Sequence, residues 1–350
     1  MTVTTSTSPD TARKAFPSVV EATELPRIIE LGANLYAASF TLMKLLPARF
    51  IIDRARRDGL LAPGGLVIET SSGTFGLGLA LVCRRYGHPL IVVGDPAIDA
   101  NLRTRLELLG AQVEIVDAFD APGGIQGARL ARVRELTERN PGSYVPGQYD
   151  NPDNPAAYDV VADLLADTLG PIDRLVGPVG SGGSTGGLAA ALRLAGQDTR
   201  LSGVDTPGSV IFGDRNGPRL LRGLGSSIHA GNVHHTAYDD VHWVGAGAAF
   251  HATRELYATH GIFAGPTSGA SFLAARWHAA QDPGAVTVAI LPDDGYRYLD
   301  SVYSETWLRA NGLAGVTAPE APKSVTDPTD LDEHWSHLRW GRREFDPAAR

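Results

Sequence analysis

The chain has 350 residues, of which 43% are hydrophobic, and its length predicts two domains with sizeable cores. Its formal net charge of −8 gives it no electrostatic reason to bind nucleic acid or an anionic membrane. Its single cysteine, Cys83, cannot form an internal disulfide, and no apolar run is long enough to span a membrane, so a cytoplasmic protein is expected.

The predicted elements follow a polar N-terminal segment, residues 1–20, which is expected to be disordered. Between residues 47 and 140, helices and strands alternate. The predicted helices there are 47–57, 77–86, 98–109 and 124–140, and the predicted strands are 65–69, 89–93 and 113–116. Strands that alternate with helices favour parallel sheets that are covered on both faces.

A second alternating stretch runs from about residue 156 to residue 291. Its predicted helices are 156–169, 188–195, 248–260 and 268–281, and its predicted strands are 175–178, 201–204 and 286–291. After about residue 310 the pattern ends. The tail, 311–350, is expected to be a mobile arm or a dimer clasp, and its part 318–350 is rich in Pro, Asp, Arg and Trp.

Lysine is rare in this chain, with three lysines among 31 basic residues. Lys14 and Lys323 lie in polar terminal segments, whereas Lys44 lies in the apolar run Leu42–Pro47. An amine in apolar surroundings tends to be neutral and nucleophilic, and lysine is the basic side chain that can form a Schiff base. From this segment alone, a lysine whose stem packs at a helix start while its charge reaches water is an equally good interpretation.

A glycine-rich loop, Gly180–Gly187, follows a predicted strand and opens a predicted helix. Glycines let the backbone approach an anion, and the helix N-terminus presents free N–H groups to it. We interpret the loop as a phosphate cradle without the lysine of a P-loop. A dinucleotide site would need glycine where Thr185 stands, although Asp205 ends the next strand as a ribose-binding acid would. The dinucleotide interpretation is therefore weakened but stays open. A tight strand-to-helix turn that binds no ligand is a further open alternative.

Two more loops, 69–76 and 265–271, are rich in hydroxyl side chains and also lead into predicted helices. The hydroxyls and backbone N–H groups of the loop 69–76 could hold a carboxylate. In a parallel α/β sheet, ligands lie outside the carboxyl ends of the strands, where such loops converge. A lysine in apolar surroundings, a phosphate cradle and a carboxylate cradle together fit pyridoxal 5′-phosphate (PLP) and an amino-acid substrate.

The order of these motifs resembles a known family, the cysteine synthase and cystathionine β-synthase group of fold type II PLP enzymes. The resemblance covers roughly residues 25–305. The segments that are similar to the family's motifs are Ser39–Lys44, Ser71–Gly76, Gln148–Pro155, Gly180–Ser184, Arg222–Gly225 and Leu291–Leu299.

The resemblance implies an α/β fold with two open, twisted, mainly parallel sheets flanked by helices and with the cofactor in the cleft between two domains. The implied domains are a larger cofactor-binding domain, residues 21–50 and 151–310, and a smaller, mobile substrate domain, residues 51–150. Lys44 is the implied catalytic and Schiff-base lysine. The implied cofactor contacts are Lys44, Thr74, Gly180, Ser181, Gly182, Gly183, Ser184 and Asp294. The implied substrate contacts are Ser71, Ser72, Gly73, Phe75, Gln148, Arg222 and Gly223.

Some residues depart from the family's pattern. Thr74 and Phe75 replace an Asn and a Thr of the loop that binds the substrate carboxylate, which reshapes the amino-acid pocket. Asp294 stands where a Ser usually faces the pyridine nitrogen; an Asp there would protonate that nitrogen, while a local cap or a pair with Arg297 is an equally good interpretation. Arg222 is a candidate for an anionic leaving group or a plain surface arginine.

The implied function is β-replacement on an activated L-serine, O-acetyl- or O-phospho-L-serine, through an aminoacrylate intermediate. The second substrate stays open among sulfide, a thiol and an amine. The altered loop favours a specialised, non-sulfide nucleophile, such as an amine in a 2,3-diaminopropionate synthase-like reaction. A homodimer is expected, with small-molecule substrates and without metal, nucleic acid or membrane. The rivals are a PLP-dependent serine/threonine dehydratase, an NAD-binding oxidoreductase, and a protein of this fold that has lost catalysis.

Overall fold

The computed structural model describes residues 15–121 and 123–345. Its strands are β1 Arg27–Gly32, β2 Leu35–Ser39, β3 Val67–Thr70, β4 Leu90–Gly94, β5 Gln112–Ile115, β6 Arg174–Pro178, β7 Arg200–Asp205, β8 Asp240–Val244, β9 Thr287–Leu291, β10 Lys323–Ser324 and β11 Trp335–Arg339. Its helices are α1 Val19–Thr23, α2 Leu45–Arg57, α3 Thr74–Tyr86, α4 Ala100–Leu108, α5 Gly124–Arg139, α6 Asp153–Ala156, α7 Asp159–Leu169, α8 Gly183–Leu194, α9 Ala246–His260, α10 Pro266–Gln281 and α11 Glu305–Ala310.

The strands form two sheets, as expected for the fold class. The larger sheet has the order β1-β2-β9-β6-β7-β8-β11-β10, and the smaller sheet has the order β3-β4-β5. In the larger sheet, the neighbouring strands in the run β2-β9-β6-β7-β8 pair in parallel, and so do both pairs of the smaller sheet. Strand β1 pairs antiparallel with β2, and β11 pairs antiparallel with β8. Val288 and Ile290 of β9 pack into one core, and Ala289 and Leu291 pack into another. The larger sheet is therefore covered on both faces, and the predicted α/β fold is confirmed.

Helix α8 begins five residues earlier than predicted, inside the glycine-rich loop. A Cβ atom on Gly187 would come 2.3 Å from the backbone oxygen of Pro155. Glycine at this position therefore lets the chain at Pro155 pack directly against α8. Residues 156–169, predicted as one helix, instead belong to α6 and α7, which are separated by Ala157 and Tyr158. The glycines of α8 therefore allow close packing of this helix, in addition to forming the glycine-rich loop seen in the sequence.

The N-terminal prediction lies mostly outside the described residues, which begin at residue 15. Within them, Ser18 caps α1 by accepting a hydrogen bond from the backbone of Val20 (3.1 Å), so positions 19 and 20, predicted to be disordered, are helical. The division into a larger domain and a mobile smaller domain stays a prediction. Within residues 15–121 and 123–345, no helix is long and apolar enough to cross a membrane.

The C-terminal tail is not a free arm over its described part, which corrects the mobile-arm alternative for 311–350, while the dimer-clasp alternative stays a prediction. Strand β11 pairs antiparallel with β8, so it covers an edge of the larger sheet. Trp335 and Trp340 are almost completely buried. The sequence pattern missed this strand because it is a single short segment with no neighbouring strand along the chain except the two-residue β10.

Three buried or half-buried histidines join this tail to the sheet and to α10. Trp335 Nε1 donates to His242 Nδ1 (3.2 Å), so a neutral His242 carries its proton on Nε2 and donates it to His278 Nε2 (2.8 Å). His337 of β11 bonds Asp240 (3.0 Å). Nitrogens of the three rings lie within 4.8 Å of one another. A metal ion bound through His242 Nε2 would require the ring proton on Nδ1, where it would oppose the N–H that Trp335 donates. The contacts therefore favour a hydrogen-bonded cluster over a metal site.

We expect this cluster to make the fold sensitive to mild acid. Burial, followed by repulsion from Arg174, lowers the pKa of His278 to about 3 from 6.5. A lowered folded-state pKa means that stability is complete above pH 6.5 and is lost as the pH falls toward 3, because the unfolded chain takes up the proton first. Between pH 7 and pH 5, this histidine should reduce the free energy of unfolding by about 2 kcal/mol.

Urea unfolding at the two pH values tests this expectation. His278→Gln should lose about 2 kcal/mol of the pH dependence, whereas His234→Gln, which changes an exposed histidine, should keep all of it. Equal pH dependence in wild type and His278→Gln would contradict the prediction.

Candidate active site

A cavity of about 550 Å³ lies where loops from both sheets meet. Residues 71–75 reach it from the end of β3, Gly180 and Ser181 from the end of β6, and Pro292 and Asp293 from the end of β9. These are the carboxyl ends of parallel strands, where α/β folds bind ligands. A volume of this size suits a small molecule rather than a macromolecule.

Lys44 lies at the wall of this cavity, immediately before α2. Its Nζ donates to Ser181 Oγ (3.1 Å). Burial lowers the pKa of Lys44 to about 8 from 10.5. The side chain therefore faces the cavity rather than reaching out to bulk water, and near neutral pH a useful fraction of its amine is free of the extra proton.

The glycine-rich loop supplies the part of the wall beside Lys44. Gly180 and Ser181 line the cavity, whereas Gly182, Gly183 and Ser184 lie at the start of α8, outside the set of lining residues. Gly182 has φ +82°, and a Cβ atom on Gly183 would come 2.2 Å from the side chain of Asn154. The first N–H groups of a helix have no partner inside it. The loop therefore brings α8 into a position suited to binding an anion.

Asn154, buried behind this loop, was missed by the sequence interpretation. Its Nδ2 donates to Ser181 Oγ (3.1 Å) and to the backbone oxygen of Gln148 (2.6 Å). Ser181 Oγ thus accepts from both Lys44 and Asn154. The motif Gln148–Pro155 contained the signal, but only the packing of Asn154 against Gly183 gave the residue this role.

The loop after β3 is shaped by Ser71. Its Oγ accepts from the backbone N–H groups of Gly73 (3.2 Å) and Gly76 (3.0 Å). Ser72, Gly73, Thr74 and Phe75 also line the cavity, although Phe75 is almost completely buried. Because α3 begins at Thr74, the free N–H groups of its first turn lie beside these hydroxyls, an arrangement that suits a carboxylate.

Glu69 ties a second segment to this loop and was also missed. Its carboxylate accepts from the backbone of Gly147 (2.7 Å) and Gln148 (3.3 Å), and Gln148 Nε2 donates to the backbone oxygen of Thr70 (2.9 Å). Burial raises the pKa of Glu69 to about 7. Gln148, a predicted substrate contact, lines the cavity. The sequence feature that could have identified Glu69 is its position as a charged residue at the end of a predicted apolar strand.

Two arginines reach the same loop from distant parts of the chain. Arg129 of α5 is buried, donates to Ser72 Oγ and lies 3.0 Å from the Asp95 carboxylate. Arg297 donates to Asp99 (2.6 Å) and to the backbone oxygen of Ser72 (3.1 Å). Arg129 was not predicted, because it is one of four arginines in α5 and only its burial distinguishes it.

The structure brings Asp293, rather than the predicted Asp294, to the cavity. Asp293 is buried, its Oδ2 accepts from the hydroxyl of Tyr298 (2.7 Å), and burial raises its pKa to about 6. Asp294 accepts from the backbone of Tyr296 (3.2 Å), so it forms a local cap. Arg297, the other suggested partner of Asp294, pairs with Asp99 instead. Neighbouring residues at a strand end point in opposite directions, which explains the exchange.

Two further predicted features have clear positions. Thr267, in the third hydroxyl-rich loop, lines the cavity at the start of α10. Asp205, which a dinucleotide site would require, is buried, accepts from the backbone of Thr206 (2.8 Å) and lies outside the lining residues. This position weakens the dinucleotide interpretation further.

The cavity is strongly cationic. Among the described residues that line it, two are acidic, Asp95 and Asp293, and five are basic. The basic residues are Lys44, Arg129, Arg219, Arg222 and Arg297. Arg222 and Gly223, both predicted substrate contacts, belong to the loop 216–227 that forms one side of the cavity. This excess of positive charge suits ligands that carry several anionic groups.

Comparison with known proteins was consistent with this geometry. The family model described as "Pyridoxal-phosphate dependent enzyme" matches residues 39–293. Proteins named N-(2-amino-2-carboxyethyl)-L-glutamate synthase are similar to the chain. The one from Ralstonia nicotianae is 36% identical over 87% of this chain and 96% of its own length, and the one from Cupriavidus metallidurans is 34% identical over 83% and 91%.

Solved structures of similar fold include an O-acetylserine-dependent cystathionine β-synthase from Helicobacter pylori. It is 27% identical, with a TM-score of 0.77 over 83% of this chain and 100% of its own. The O-acetylserine sulfhydrylase isoform 3 from Entamoeba histolytica is 24% identical, with a TM-score of 0.77 over 88% and 99%, and shares the fold. These chains leave 12–17% of the present chain unmatched.

Proposed function

Because this chain belongs to the family of pyridoxal-phosphate dependent enzymes, we propose that it catalyses β-replacement on an activated L-serine with an amine as the nucleophile. The family membership agrees with the resemblance found in the sequence and makes PLP the cofactor. The name of the two relatives describes a 2-amino-2-carboxyethyl group on the nitrogen of L-glutamate. Such a product contains a carbon–nitrogen bond at the former β-carbon of serine.

The residues of the cavity fit this cofactor. The glycine-rich loop and the N-terminus of α8 would hold its phosphate, and Lys44 Nζ, 3.1 Å from Ser181 Oγ, would hold it covalently. Thr267 lines the same cavity. When bound, PLP supplies an electron sink for the charge that develops on the substrate's α-carbon.

The residues of the chain would bind the substrate and transfer the protons of the reaction. The loop Ser71–Phe75 and Gln148 would bind the α-carboxylate of the serine substrate. Lys44 Nζ would take the α-proton and return it after the exchange, which its pKa of about 8 permits near neutral pH. The Cβ–O bond to the leaving group breaks, a Cβ–N bond to the amine forms, and the amine's surplus proton leaves with the released group.

The observation that carries the proposal is the excess of cationic groups around the cavity, five against two among its described lining residues. The phosphate of PLP and one carboxylate would occupy part of this charge. The remainder favours O-phospho-L-serine over O-acetyl-L-serine, because a phosphate leaving group carries a charge that an acetyl group lacks. The cytoplasmic location and the homodimer stay predictions.

The test is to incubate the PLP-loaded protein with O-phospho-L-serine and L-glutamate and to identify products by mass spectrometry. We expect one molecule of phosphate and one of the N-substituted glutamate per turnover, and a roughly tenfold or larger preference, measured by kcat/KM, over O-acetyl-L-serine, as loss of one charge-assisted contact implies. O-acetyl-L-serine, the matched substrate without a charged leaving group, is the control.

The rivals predict other products. A serine/threonine dehydratase would release pyruvate or 2-oxobutyrate and ammonia from L-serine or L-threonine without any amine nucleophile. If these were the main products and no carbon–nitrogen bond formed with any amine, the proposed replacement reaction would be rejected while the cofactor assignment remained.

A further inference from the structure

Glu69 is a buried carboxylate on a strand that leads to the cavity. It lies in β3, whose four residues are all buried, and is itself 1% exposed. A charged group in such a place is costly unless hydrogen bonds or opposite charges compensate it. The contacts of its two oxygens show what compensates the charge of Glu69.

The edge of β3 pairs with a neighbouring backbone segment only as far as Tyr144. The backbone of Tyr144 donates to Leu66 (2.8 Å) and accepts from Ile68 (2.9 Å). Pro146, two residues further along, has no backbone N–H, so it cannot donate the next bond of this ladder. Beyond this point, the side chain of Glu69 makes the connection between the two segments.

The Glu69 carboxylate accepts three backbone hydrogen bonds. Its Oε1 accepts from Thr70 (2.7 Å), and its Oε2 accepts from Gly147 (2.7 Å) and Gln148 (3.3 Å). In the other direction, Gln148 Nε2 donates to the backbone oxygen of Thr70 (2.9 Å). An ionised carboxylate only accepts hydrogen bonds, whereas a protonated one also carries a donor. The three N–H groups are therefore matched to the ionised form.

Gln148 is the residue through which this carboxylate can act on a ligand. Gln148 lines the cavity, and its backbone oxygen accepts from Asn154 Nδ2 (2.6 Å). Its Nε2 carries two N–H groups, and Thr70 accepts one of them. No described residue accepts the other. A carboxylate in the cavity could accept it, provided that the backbone of Gln148 stays where Glu69 holds it.

We propose that Glu69 is a positioning residue, whose ionised carboxylate holds Gln148 and the loop 71–75 at the spacing that binds the α-carboxylate of the amino-acid substrate. This inference rests on the proposed function, which assigns the α-carboxylate to these groups. Glu69 does not line the cavity, so it acts through Gln148 and not by touching the substrate. Loss of an acceptor oxygen should therefore weaken the binding of a carboxylate and leave the binding of PLP intact.

The test compares L-serine with L-serinamide, which has a neutral amide in place of the carboxylate, as ligands of the PLP-loaded protein. Titrations that follow the visible absorption band of bound PLP give both dissociation constants. Wild type should bind L-serine more tightly. In Glu69→Gln, the new amide turns a donor toward a backbone N–H. The preference for L-serine should then fall roughly tenfold, as loss of one hydrogen bond to a charged group implies, and L-serinamide binding should change little.

The pH dependence of this preference is a readout that a purely structural role would not change. Burial raises the pKa of Glu69 to about 7 from 4.5, although its backbone hydrogen bonds and the charge of Arg129 act to lower it. As the pH falls from 8 to 6, the carboxyl becomes protonated, so the wild-type preference should approach that of Glu69→Gln. Comparing the two proteins removes the titration of Lys44 and Asp293, which they share.

The groups around Glu69 keep their charge over this pH range. Strand β4 and residues 74–82 of α3 contain no titratable side chain except at positions beyond them. Arg129 of α5 has a guanidinium, which stays charged at these pH values. Burial raises the pKa of Tyr144 above its usual 10, so its hydroxyl stays neutral. A convergence of the two profiles below pH 7 would therefore report on Glu69.

Glu114→Gln is the matched control, because Glu114 is a glutamate of β5 in the same sheet that bonds Arg132 (2.8 Å) and does not line the cavity. It should keep the wild-type preference at both pH values. If Glu69→Gln does not fold, Glu69→Asp, which keeps the charge on a shorter side chain, should show the same fall in preference to a smaller extent.

An unchanged preference in the Glu69 variant, or equal weakening of both ligands, would overturn the inference. Failure of the proposed function looks different, since wild type would then form no product with any amine. The comparison of L-serine with L-serinamide needs neither a leaving group nor a nucleophile, so it would still decide the role of Glu69.

Discussion

Replacing Lys44 by alanine is expected to remove the visible absorption band of bound PLP and to lower turnover by roughly 10³-fold or more. The reason lies in the position of one amine. Lys44 Nζ faces the cavity 3.1 Å from Ser181 Oγ, and burial holds its pKa at about 8. No other lysine of the described chain lines the cavity. Absorption spectra of the purified variant after addition of PLP, together with its turnover rate, measure both effects.

Lys323→Ala is the matched control for this experiment. Lys323 lies on β10, where its Nζ bonds the exposed Asp330. Its replacement should leave the absorption band and turnover unchanged. A Lys44→Ala protein that kept the band after dialysis would show that the cofactor is held elsewhere, and the assignment of Lys44 would be lost.

Trp335→Ala is expected to lower the free energy of unfolding by about 3–5 kcal/mol, the usual cost of truncating a buried tryptophan. Trp335 is 1% exposed, and its indole N–H donates to His242 Nδ1 (3.2 Å). Truncation leaves a cavity between β11 and α10, where the ring of Trp335 contacts that of Trp277. It also leaves a buried imidazole nitrogen without its donor. Urea unfolding monitored by circular dichroism measures the loss.

Leu194→Ala is the control, because Leu194 is 89% exposed and its truncation should change the free energy of unfolding by no more than about 0.5 kcal/mol. Trp335→Phe separates packing from hydrogen bonding and should cost about 1–3 kcal/mol, since it keeps most of the ring but removes the N–H donor. If Trp335→Ala were as stable as Leu194→Ala, the C-terminal strand would not be part of the folded core in solution.

Much of the fold could be predicted from local patterns. Short apolar runs followed by small-residue loops and helices identified the strands β3 to β7 and β9. Each of these motifs is contiguous in the chain, so the residues that define it are neighbours before folding. Strands β1, β2 and β8 were missed. Strands β1 and β2 form an antiparallel pair rather than a strand–loop–helix unit. Strand β8 does lead through Gly245 into α9, but Asp240 and His242 interrupt its apolar pattern.

The candidate site shows the same division. Lys44, the glycine-rich loop and the loop 71–75 could be identified, because each combines a distinctive residue type with a predicted helix N-terminus. Arg129 could not be identified, since nothing in the sequence around it distinguishes it from the three other arginines of α5. Its burial beside Asp95 depends on packing. Asp294 was chosen over Asp293 because sequence order does not give the direction of a side chain at a strand end.

The sequence by itself therefore determined the family and the cofactor, because these depend on short contiguous motifs in a fixed order. It also singled out Lys44 as the candidate Schiff-base lysine, which stays a prediction. The tertiary structure decided which carboxylate and which arginines reach the cavity, and that the tail closes an edge of the larger sheet. Burial and pairing arise between segments that are distant in sequence, and the chain order does not specify them until the sheets and helices pack.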